Sequence, residues 1–589
     1  MGSNTSPIPY GKRLLPVELD KIAREDGQRP WASIPIDDND LSKGYEDINF
    51  AVLANAINRL AWVIHDALGQ STTFDAIAYL GAADIRYHMI QMAACKTGHK
   101  VLFSSHLNSL AVHLSLMDKV DCKALFYSAG TKVDDILGAR PMTGVLIPDL
   151  DDLIYNREQA KWYEYTKTFE EAALDPYGVL QLLTAKHTSG TTGDPKPLVM
   201  NHALVATIDA QGALPDRTRR VMDFVFPEKP GTRIMIPTSP FHVISAVIGL
   251  SMAVFGGGVF VYPHRSYGLT SELPDLLAVF TYSKSKVIFL MPYIMEKIAA
   301  APNPEKYIAN FKTVCWGGGV LPISVQDTWR MSTRLQDTWG SSEMILPPQL
   351  RTAPEDHEYV SFDLESSGLE FREVNMEDDG SSEKLYEMVA TLTPKSEPFS
   401  GYFAREGIKA QSDQPPYPEF RIGDLWTRHP DPKKAHNTFR FAGRIDDLIN
   451  LATGINMHPT LLEQGIKAHP KVREAIVLGS RHMQPIALVE LHEGTDKTEV
   501  WREVLEPMNK KVQSFSRIAE THFISVPFGG LVRTPKGTIS RPKSERMFAR
   551  EIEDVYQRFG DRWADDGRRE QETGFGERGE ESSRWYRRC

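Results

Sequence analysis

Short apolar segments alternate with longer amphipathic segments over much of this chain, and the alternation limits the folds open to it. Leu53, Ile57 and Leu60 recur at helical spacing, and Gly69 ends that pattern. Alternating strands and helices are typical of a parallel sheet that helices cover on both faces. We therefore predict the α/β fold class, with strands at residues 76–80, 101–103, 232–236, 287–291 and 313–316.

The composition changes after residue 350. Residues 351–412 are polar and acidic and indicate an antiparallel or mixed subdomain, which a proline-rich turn at 414–418 closes. A compact second lobe begins near Gly443, with strands at 475–478 and 486–491. We expect a large N-terminal lobe of parallel and mixed sheets at residues 1–442 and a small mobile C-terminal α+β lobe at 443–559. Residues 560–589 are expected to be a disordered charged tail.

Bulk properties exclude several classes of function. At 589 residues the chain is too long for one core. Its formal net charge of -10 argues against a nucleic-acid partner, because binding to the phosphate backbone needs a basic face. The four cysteines form no CxxC pair and indicate neither a disulfide framework nor a zinc cluster. With no leader-like N-terminus, a cytoplasmic protein is expected.

One uncharged stretch, residues 243–262, is long enough to span a bilayer. Three consecutive glycines at 256–258 interrupt it, and glycine runs disfavour a continuous helix. We predict a helix, a glycine turn and a buried strand, and no membrane partner. A membrane or scaffold protein is the weakest alternative.

Residues 187–200 read HTSGTTGDPKPLVM and combine hydroxyls, glycines and a lysine. Such a loop can wrap an oligophosphate with hydroxyls and backbone amides, although alone it is more often a surface connection. It is neither a Walker loop nor a dinucleotide fingerprint. His187 can touch the nucleotide or serve as a structural hydrogen-bonding residue. The candidate phosphate contacts are His187, Thr188, Ser189, Gly190, Thr191, Thr192, Gly193 and Lys196.

Four more motifs follow downstream: WGSSE at 339–343, IGDL at 422–425, GRIDD at 443–447 and TPKGTI at 534–539. With the hydroxyl-rich loop, these blocks resemble in order those of the adenylate-forming, or AMP-binding, superfamily. That superfamily includes acyl-CoA ligases, peptide-synthetase adenylation domains and luciferases. Residues 10–16, YGKRLLP, and residues 451–459, LATGINMHP, are similar to segments of the fungal synthetase-like and adenylate-forming reductase type. No carrier domain is visible in the sequence.

The resemblance implies a role for each matched residue. An aromatic side chain at Trp339 can stack on a base, and Asp424 offers two acceptors to ribose hydroxyls. Taken singly, Trp339 is more often a core aromatic and Asp424 a turn residue. The resemblance implies nucleotide contacts from Trp339, Gly340, Ser341, Ser342, Asp424 and Arg444, a Mg²⁺ ligand in Glu343, catalytic lysines Lys196 and Lys536, and a hinge at Asp446.

The implied reaction joins a carboxylic acid to ATP, with Mg²⁺, to form an acyl-adenylate and pyrophosphate. The acyl group then passes to a thiol, either CoA or the phosphopantetheine of a carrier, with a carrier protein or reductase acting in trans. A free-standing acyl-CoA ligase and a degenerate, noncatalytic nucleotide-binding protein are the alternatives. Asn450 replaces a common hinge-block lysine and Ile422 replaces a threonine, which places ribose and thiol-step contacts in question.

The acid itself is constrained by one position. Synthetase domains for α-amino acids usually carry an aspartate after the phenylalanine matched here by Phe241, and this chain has His242. A buried substrate ammonium without a carboxylate partner is costly. We therefore expect an aryl, keto or polyketide-derived acid. Gly317 and Gly318 can form a pocket wall or a plain glycine turn after a strand.

Overall fold

The computed structural model describes residues 8–105, 108–182, 196–216, 219–221, 223–264, 273–319, 321–374, 384–412, 414–452, 456–480, 482–510, 512, 516–533 and 539–560. These residues form two compact units. The first unit comprises residues 8–374 and 384–446, and the second comprises 447–533 and 539–560. The expected tail lies outside the described residues, apart from Gly560.

The strands belong to five sheets. In chain order they are β1 (Pro30–Pro35), β2 (Tyr45–Asn49), β3 (Ala76–Leu80), β4 (Lys100–Phe103), β5 (Cys122–Tyr127), β6 (Thr143–Leu146), β7 (Pro176–Leu182), β8 (Lys196–Asn201), β9 (Arg233–Met235), β10 (Val259–Val261), β11 (Val287–Leu290), β12 (Thr313–Trp316), β13 (Arg334–Asp337), β14 (Gln349–Leu350), β15 (Val360–Phe362), β16 (Leu369–Glu373), β17 (Tyr386–Thr391), β18 (Glu419–Arg428), β19 (Thr438–Arg444), β20 (Ile449–Asn450), β21 (Asn456–Met457), β22 (Val472–Leu478), β23 (Ile486–Leu491) and β24 (Phe523–Val526).

Helices connect most of the strands. In chain order they are α1 (Leu15–Glu25), α2 (Phe50–Leu68), α3 (Arg86–Lys96), α4 (Leu110–Lys119), α5 (Asp134–Ala139), α6 (Leu150–Tyr155), α7 (Phe169–Ala172), α8 (His202–Ala210), α9 (Leu250–Gly256), α10 (Leu273–Tyr282), α11 (Pro292–Ala299), α12 (Glu305–Ile308), α13 (Ile323–Arg330), α14 (Leu364–Ser367), α15 (Gly401–Glu406), α16 (Thr460–Lys467), α17 (Lys497–Val500), α18 (Glu506–Asn509), α19 (Arg541–Met547) and α20 (Ala549–Phe559).

Two mostly parallel sheets form the larger part of the first unit. One has seven strands in the order β13-β12-β11-β9-β10-β1-β2, with only β2 antiparallel to its neighbour. The other has six strands in the order β6-β5-β3-β4-β7-β8, with only β8 antiparallel. Helices α2, α3, α8 and α9 bury their apolar side chains in the core that both sheets share. The predicted α/β fold class is confirmed.

Burial along single strands explains why the parallel strands read as continuous apolar runs. Phe289 of β11 faces the shared core, whereas its neighbours Ile288 and Leu290 enter a second core on the other face. Successive side chains of a strand point to opposite faces, so a sheet with helices on both faces needs apolar residues at every position. The predicted helix with its stop at Gly69 is α2, which Asn49 caps through its side chain.

An antiparallel sheet completes the first unit, in the order β14-β15-β19-β18-β17-β16. The polar composition after residue 350 therefore does mark an antiparallel subdomain. The proline-rich turn does not close it, because β18 and β19 follow that turn and pair with each other. Gly443 and Arg444, which the sequence pattern assigned to the second lobe, end β19 opposite Leu425 and Asp424.

The uncharged stretch is a helix, a glycine turn and a strand, as predicted. A π-helical segment, Ile244–Gly249, continues into α9, the glycine run follows, and β10 is fully buried. Within the part of the chain that the structure describes, no helix has the length and apolar content needed to cross a membrane.

The second unit contains a three-stranded sheet in the order β22-β23-β24. Its strands alternate between two cores: Ala475 and Val477 face one core, whereas Ile476 and Leu478 face the other, which includes Tyr556 of α20. Both strands expected in this part of the sequence are present. The short hairpin of β20 and β21 belongs to the same unit.

Candidate functional site

The carboxyl ends of β9, β11, β12 and β13 meet at one edge of the seven-stranded sheet, because these four strands are adjacent and parallel. In open α/β sheets this edge is where ligands usually bind. The segments leaving it carry several of the predicted site residues. Phe241 and His242 follow β9, Gly317 and Gly318 follow β12, and Trp339 follows β13.

Trp339, Asp424 and Arg444 form a hydrogen-bonded cluster. The Trp339 indole Nε1 donates to Asp424 Oδ2 at 2.7 Å, and Arg444 Nη1 donates to Asp424 Oδ1 at 2.6 Å. Arg444 Nη2 also donates to the carbonyl oxygen of Ile422 at 3.1 Å. Asp424 is only 5% exposed, so the two donors compensate most of the cost of burying its charge. A carboxylate has two oxygens that can each accept hydrogen bonds, which suits a pair of hydroxyl donors.

Pairing between β18 and β19 places two members of this cluster side by side. Asp424 lies directly opposite Arg444 in the antiparallel register. Trp339 reaches the pair from the other sheet, and its ring makes edge contacts with Phe362 and Trp426 at 6.2 and 6.3 Å between ring centroids. The indole is therefore held by packing on one side and by its hydrogen bond on the other. Trp339 is both a core aromatic and a polar contact of Asp424.

The turn after Trp339 is tightly built. Ser341 and Ile345 pair through two backbone hydrogen bonds of 3.2 and 2.8 Å, and the Ser341 hydroxyl accepts from the Met344 backbone at 3.1 Å. A Cβ on Gly340 would lie 2.3 Å from the Ile345 carbonyl oxygen, so this position requires glycine. The turn carries the half-buried Ser342 and Glu343.

Glu343 has no ion-pair partner among the described residues, and those residues contain no group of three or more histidine, cysteine or acidic side chains that could hold a metal. A single carboxylate is compatible with Mg²⁺, which keeps several waters and takes its other oxygens from substrate phosphates. The described residues therefore fit a metal shared with a nucleotide better than a metal held by the protein alone.

The glycines after β12 allow a close contact between neighbouring strand ends. A Cβ on Gly317 would lie 2.3 Å from the Thr338 carbonyl oxygen, and Thr338 donates its backbone N–H to Trp316 at 2.9 Å. Gly318 adopts a φ of +84°. The segment after β12 therefore lies directly against the segment that leads into Trp339, and the pocket wall stays a prediction.

Asp337, the last residue of β13, is a buried carboxyl that the motif comparison did not select. Desolvation raises its pKa well above the usual range, and only a backbone hydrogen bond from Thr338 opposes that shift. Burial therefore disfavours the charged form of this carboxyl. Its position directly before the TWGSSE segment, at the carboxyl end of a parallel strand, is the signal that could have identified it.

Phe241 and His242 lie at the start of the segment that enters the π-helix Ile244–Gly249. Phe241 is buried, and its ring lies 6.2 Å from that of Tyr87. His242 is half-buried, and its Nδ1 accepts from the Ile244 backbone at 3.4 Å. Tyr87 follows Asp84 and Arg86, which form a buried ion pair of 2.6 Å. The carboxylate of Asp84 is thus already paired.

Several predicted residues lie outside the described part of the chain. They include the phosphate-loop residues from His187 to Gly193 and the catalytic candidate Lys536. Lys196 is described as the first residue of β8, opposite Leu182 of β7. The backbone of Asp446 lies in a 3-10 turn, Ile445–Asp447, at the boundary between the two units. The structure thus brings together Trp339, Asp424 and Arg444, and the other assignments remain predictions.

Comparisons with known proteins identify the family of this chain. The family model described as AMP-binding enzyme matches residues 24–364, and the model for the AMP-binding enzyme C-terminal domain matches residues 446–560. A carboxylic acid reductase of Neurospora crassa is 28% identical over 566 residues, covering 93% of this chain and 51% of the relative. An isocyanide synthase-NRPS hybrid, crmA, of Aspergillus fumigatus is 27% identical, covering 95% of this chain and 34% of the relative.

Solved structures show the same fold. ATP-bound MatB from Rhodopseudomonas palustris superimposes with a TM-score of 0.68 at 16% identity, covering 92% of this chain and all of that one. The anthranilate CoA ligase AuaEII, in complex with anthranoyl-AMP, gives a TM-score of 0.66 at 17% identity, covering 92% of this chain and 98% of that one. The chain spans about half the length of the carboxylic acid reductase and a third of the hybrid synthase. Because the AMP-binding model covers more than half of its residues, the chain belongs to the AMP-binding, adenylate-forming enzyme family.

Proposed function

We propose that this chain uses ATP to activate a carboxylic acid as its acyl-adenylate, releases pyrophosphate, and passes the acyl group to a thiol. In this proposal the first unit binds the nucleotide and the acid. Residues 443–559, which include Lys536 in the sequence, are proposed to be the mobile small lobe, with Asp446 as its hinge. We place the reaction in the cytoplasm, in keeping with three described cysteines that are buried and free.

The Trp339–Asp424–Arg444 cluster is the observation that carries the proposal. A buried carboxylate held by two donors is pre-oriented, and its two acceptor oxygens match the two adjacent hydroxyls of a ribose. The cluster stands where β13 ends, beside the segments that follow β12 and β9. A nucleotide bound there has its base near an aromatic residue and its phosphates near the turn that carries Glu343.

The chemistry follows from charge and alignment. A carboxylate oxygen of the acid attacks the α-phosphorus of ATP, the bond between that phosphorus and the β-bridging oxygen breaks, and pyrophosphate leaves with the bonding electrons. No proton moves in this step, so the protein must align the reactants and neutralise charge rather than supply a general base. Lys196 would attract the leaving pyrophosphate, and Lys536 would lie between the carboxylate and the α-phosphate.

Glu343 would hold Mg²⁺ together with phosphate oxygens of the nucleotide. When bound, the ion supplies charge neutralisation for the triphosphate. Ser341 and Ser342 directly precede Glu343 in the chain, and the Ser341 hydroxyl organises the turn by accepting from the Met344 backbone. The rigid turn would hold Glu343 in place before substrate arrives.

The acid is proposed to be an aryl, keto or polyketide-derived acid rather than an α-amino acid. His242 stands where an ammonium-binding carboxylate would be expected, and Asp84, the acidic residue near Tyr87, is paired with Arg86. Burial raises the pKa of Asp337 and so disfavours the carboxylate form that would pair with an ammonium. An uncharged acid body therefore suits the apolar surroundings of Phe241 better than an amino acid does.

The acceptor thiol is proposed to be the phosphopantetheine of a carrier that feeds a reductase, because several relatives are named as reductases. A free-standing acyl-CoA ligase is the second candidate, and the superposition on the CoA ligase AuaEII is consistent with it at the level of fold. The two differ in one measurement. A ligase should transfer the acyl group to CoA with turnover. An enzyme that feeds a reductase should transfer it only to a carrier that bears a free phosphopantetheine thiol.

Acid-dependent exchange of labelled pyrophosphate into ATP tests the first step. We expect exchange with at least one member of a panel of aryl, keto, amino and fatty acids, and little with α-amino acids. Lys536→Ala should reduce exchange by about a hundredfold or more while ATP binding changes little, since the lysine acts on the reacting oxygens.

Lys543→Ala is the matched control, because Lys543 is an exposed lysine in α19, seven residues after Lys536 in the chain. It should retain full exchange. Absence of exchange with every acid, or equal loss of exchange and ATP binding in Lys536→Ala, would contradict the proposal.

A further inference from the structure

A basic cavity lies at the edge of the seven-stranded sheet opposite the candidate site. Its volume is about 370 Å³, which is within the range of small-molecule pockets. The segments that lead into β9, β11 and β12 surround it, so it stands at the amino ends of these parallel strands. The residues that line it are Asp223, Pro227, Glu228, Lys229, Gly231, Thr232, Arg233, Lys284, Lys286, Val287 and Lys312.

The register of the sheet aligns three of the basic residues. Val287 of β11 pairs with Ile234 of β9 and with Thr313 of β12. The residues one position earlier are Arg233, Lys286 and Lys312, and backbone hydrogen bonds of 2.9 and 2.7 Å link Lys286 to the other two. Neighbouring strands lie about 4.8 Å apart, so three positive side chains stand in a row on one face. Like charges on adjacent strands repel one another.

The acidic residues of the cavity are already paired. Asp223 contacts the guanidinium of Arg351 and accepts from the Thr313 hydroxyl at 3.0 Å. Glu228 forms a 2.5 Å ion pair with Lys312, which holds the pKa of this carboxyl below its usual range. Arg233 pairs with Asp47 at 2.8 Å. The cavity's own carboxylates are therefore not free to neutralise further cations.

Three lysines are left without a carboxylate. Within the described part of the chain, Lys229, Lys284 and Lys286 have no acidic side chain within salt-bridge distance, and Lys286 donates only to the Asn310 carbonyl at 3.3 Å. All three are exposed. Five basic and two acidic side chains line the cavity, which gives it a formal charge of +3 in a chain whose net charge is -10.

We propose that the basic cavity binds a small molecule through a phosphate or diphosphate group. Lysine ammonium groups are compact positive charges that suit phosphate oxygens, and a bound dianion would neutralise the lysines that have no carboxylate partner among the described residues. A concave site of one sign also concentrates counter-charged ligands from solution. The ligand would enter from solvent, because the lysines that would meet it are exposed.

The basic cavity is distinct from the nucleotide site proposed above. Each of β11 and β12 has four residues between the two edges, a distance of about 13 Å along the strand. A ligand in the cavity can therefore coexist with ATP, and the inference does not depend on acid activation. Free pyrophosphate and a nucleoside diphosphate both carry the required group.

Calorimetric titration of pyrophosphate into the full chain tests the inference. The titration is done with saturating α,β-methylene-ATP, which would fill the proposed nucleotide site. We expect saturable binding of pyrophosphate that persists with the analogue present and that the double variant Lys284→Ala/Lys286→Ala weakens by about tenfold or more. A parallel titration with uridine diphosphate distinguishes the two sources of the diphosphate group. If uridine diphosphate binds as tightly as pyrophosphate, the site accepts an esterified diphosphate; if it binds more weakly, the site prefers free pyrophosphate.

Lys132→Ala/Lys306→Ala is the matched control, because both lysines are exposed in the first unit and the change in net charge is the same. It should retain wild-type affinity. Loss of all pyrophosphate binding in the presence of the analogue would overturn the inference, and so would equal weakening by the two double variants. Acid-dependent exchange should be unchanged in Lys284→Ala/Lys286→Ala, so failure of this site is distinguishable from failure of the proposed function. A thermal midpoint equal to that of the control verifies folding.

Discussion

The carboxylate of Asp424 is oriented by donors from two different parts of the first unit. The Trp339 indole approaches one oxygen from the segment after β13, and Arg444 approaches the other from the neighbouring strand β19. A hydrogen bond to a charged group is worth about 1.5–3 kcal/mol, and a buried acceptor that loses one is left undersatisfied. The aromatic residue therefore has a polar function in addition to any stacking on a base.

Trp339→Phe tests that polar function, because phenylalanine keeps an aromatic ring and lacks the donor. We expect KM for ATP to rise by about tenfold or more, with a smaller change in kcat, since the lost contact orients the nucleotide before reaction. The preference for ATP over 3′-deoxy-ATP should shrink in the exchange assay. Trp426→Phe is the control, because the Trp426 indole N–H has no hydrogen-bond partner among the described residues. Equal effects of the two substitutions would contradict the assigned contact.

At the scale of single elements, β23 carries a buried acidic residue that organises the second unit. Glu490 has no solvent exposure and accepts from Arg473 Nη1 at 2.7 Å, from Arg533 Nη1 at 3.3 Å and from the Gly529 backbone. Arg533 directly precedes residues 534–538, and it forms an isolated antiparallel bridge with Ile539 just after them. Through Glu490, β23 therefore holds Arg533, the residue directly before the segment that contains Lys536.

Glu490→Ala removes the common acceptor of these three donors. We expect the free energy of unfolding of the second unit to fall by about 2 kcal/mol, less than for a fully buried ion pair because Arg473 and Arg533 are partly exposed. Glu490→Gln should recover part of the loss. Denaturant unfolding followed by circular dichroism measures the change, and Glu493→Ala, at an exposed acidic position two residues beyond β23, should be neutral. An unfolding midpoint for Glu490→Ala equal to that of Glu493→Ala would refute the argument.

At the scale of the whole molecule, each unit has its own buried cores. The second unit buries Val477, Val489 and Phe523 in one core and Ile476, Leu488 in the other. The first unit buries its largest apolar cluster between its two mostly parallel sheets. Separate cores of this size allow separate cooperative unfolding.

Scanning calorimetry should therefore show two transitions, and acid should lower the one that belongs to the first unit. Burial lowers the pKa of His88 to about 3 and that of His202 to about 4. Both histidines are neutral when folded and gain a proton on unfolding below about pH 6.5, so stability is complete above that pH and falls as pH approaches the folded pKa values. The contribution lost from His202 at pH 5 is about 2 kcal/mol.

His202→Leu should reduce the difference between the pH 7 and pH 5 midpoints of that transition. An ATP analogue should raise the same transition, because Trp339, Asp424 and Arg444 all belong to the first unit. A single transition, or an acid sensitivity unchanged by His202→Leu, would contradict this account.

Local pattern was sufficient for many of the elements. The spacing of Leu53, Ile57 and Leu60 predicted α2, and the glycine run predicted the break between α9 and β10. The sequence did not show which strands pair when they lie far apart in the chain. The proline-rich turn was wrongly taken as the end of the antiparallel subdomain, because β18 and β19 follow that turn and pair with β17 and β15, which precede it. Secondary-structure propensity depends on a few neighbouring residues, whereas the register of a sheet depends on which strands pair.

The sequence by itself determined the family, the α/β class and the identities of the polar residues, because ordered motifs and apolar periodicity are properties of the linear chain. Only the tertiary structure decided that Trp339 donates to Asp424, that burial raises the pKa of Asp337, and that basic residues from adjacent strands surround one cavity. Hydrogen bonds, desolvation and charge clustering depend on distances between residues that the fold brings together, and the order of residues along the chain contains no such distances.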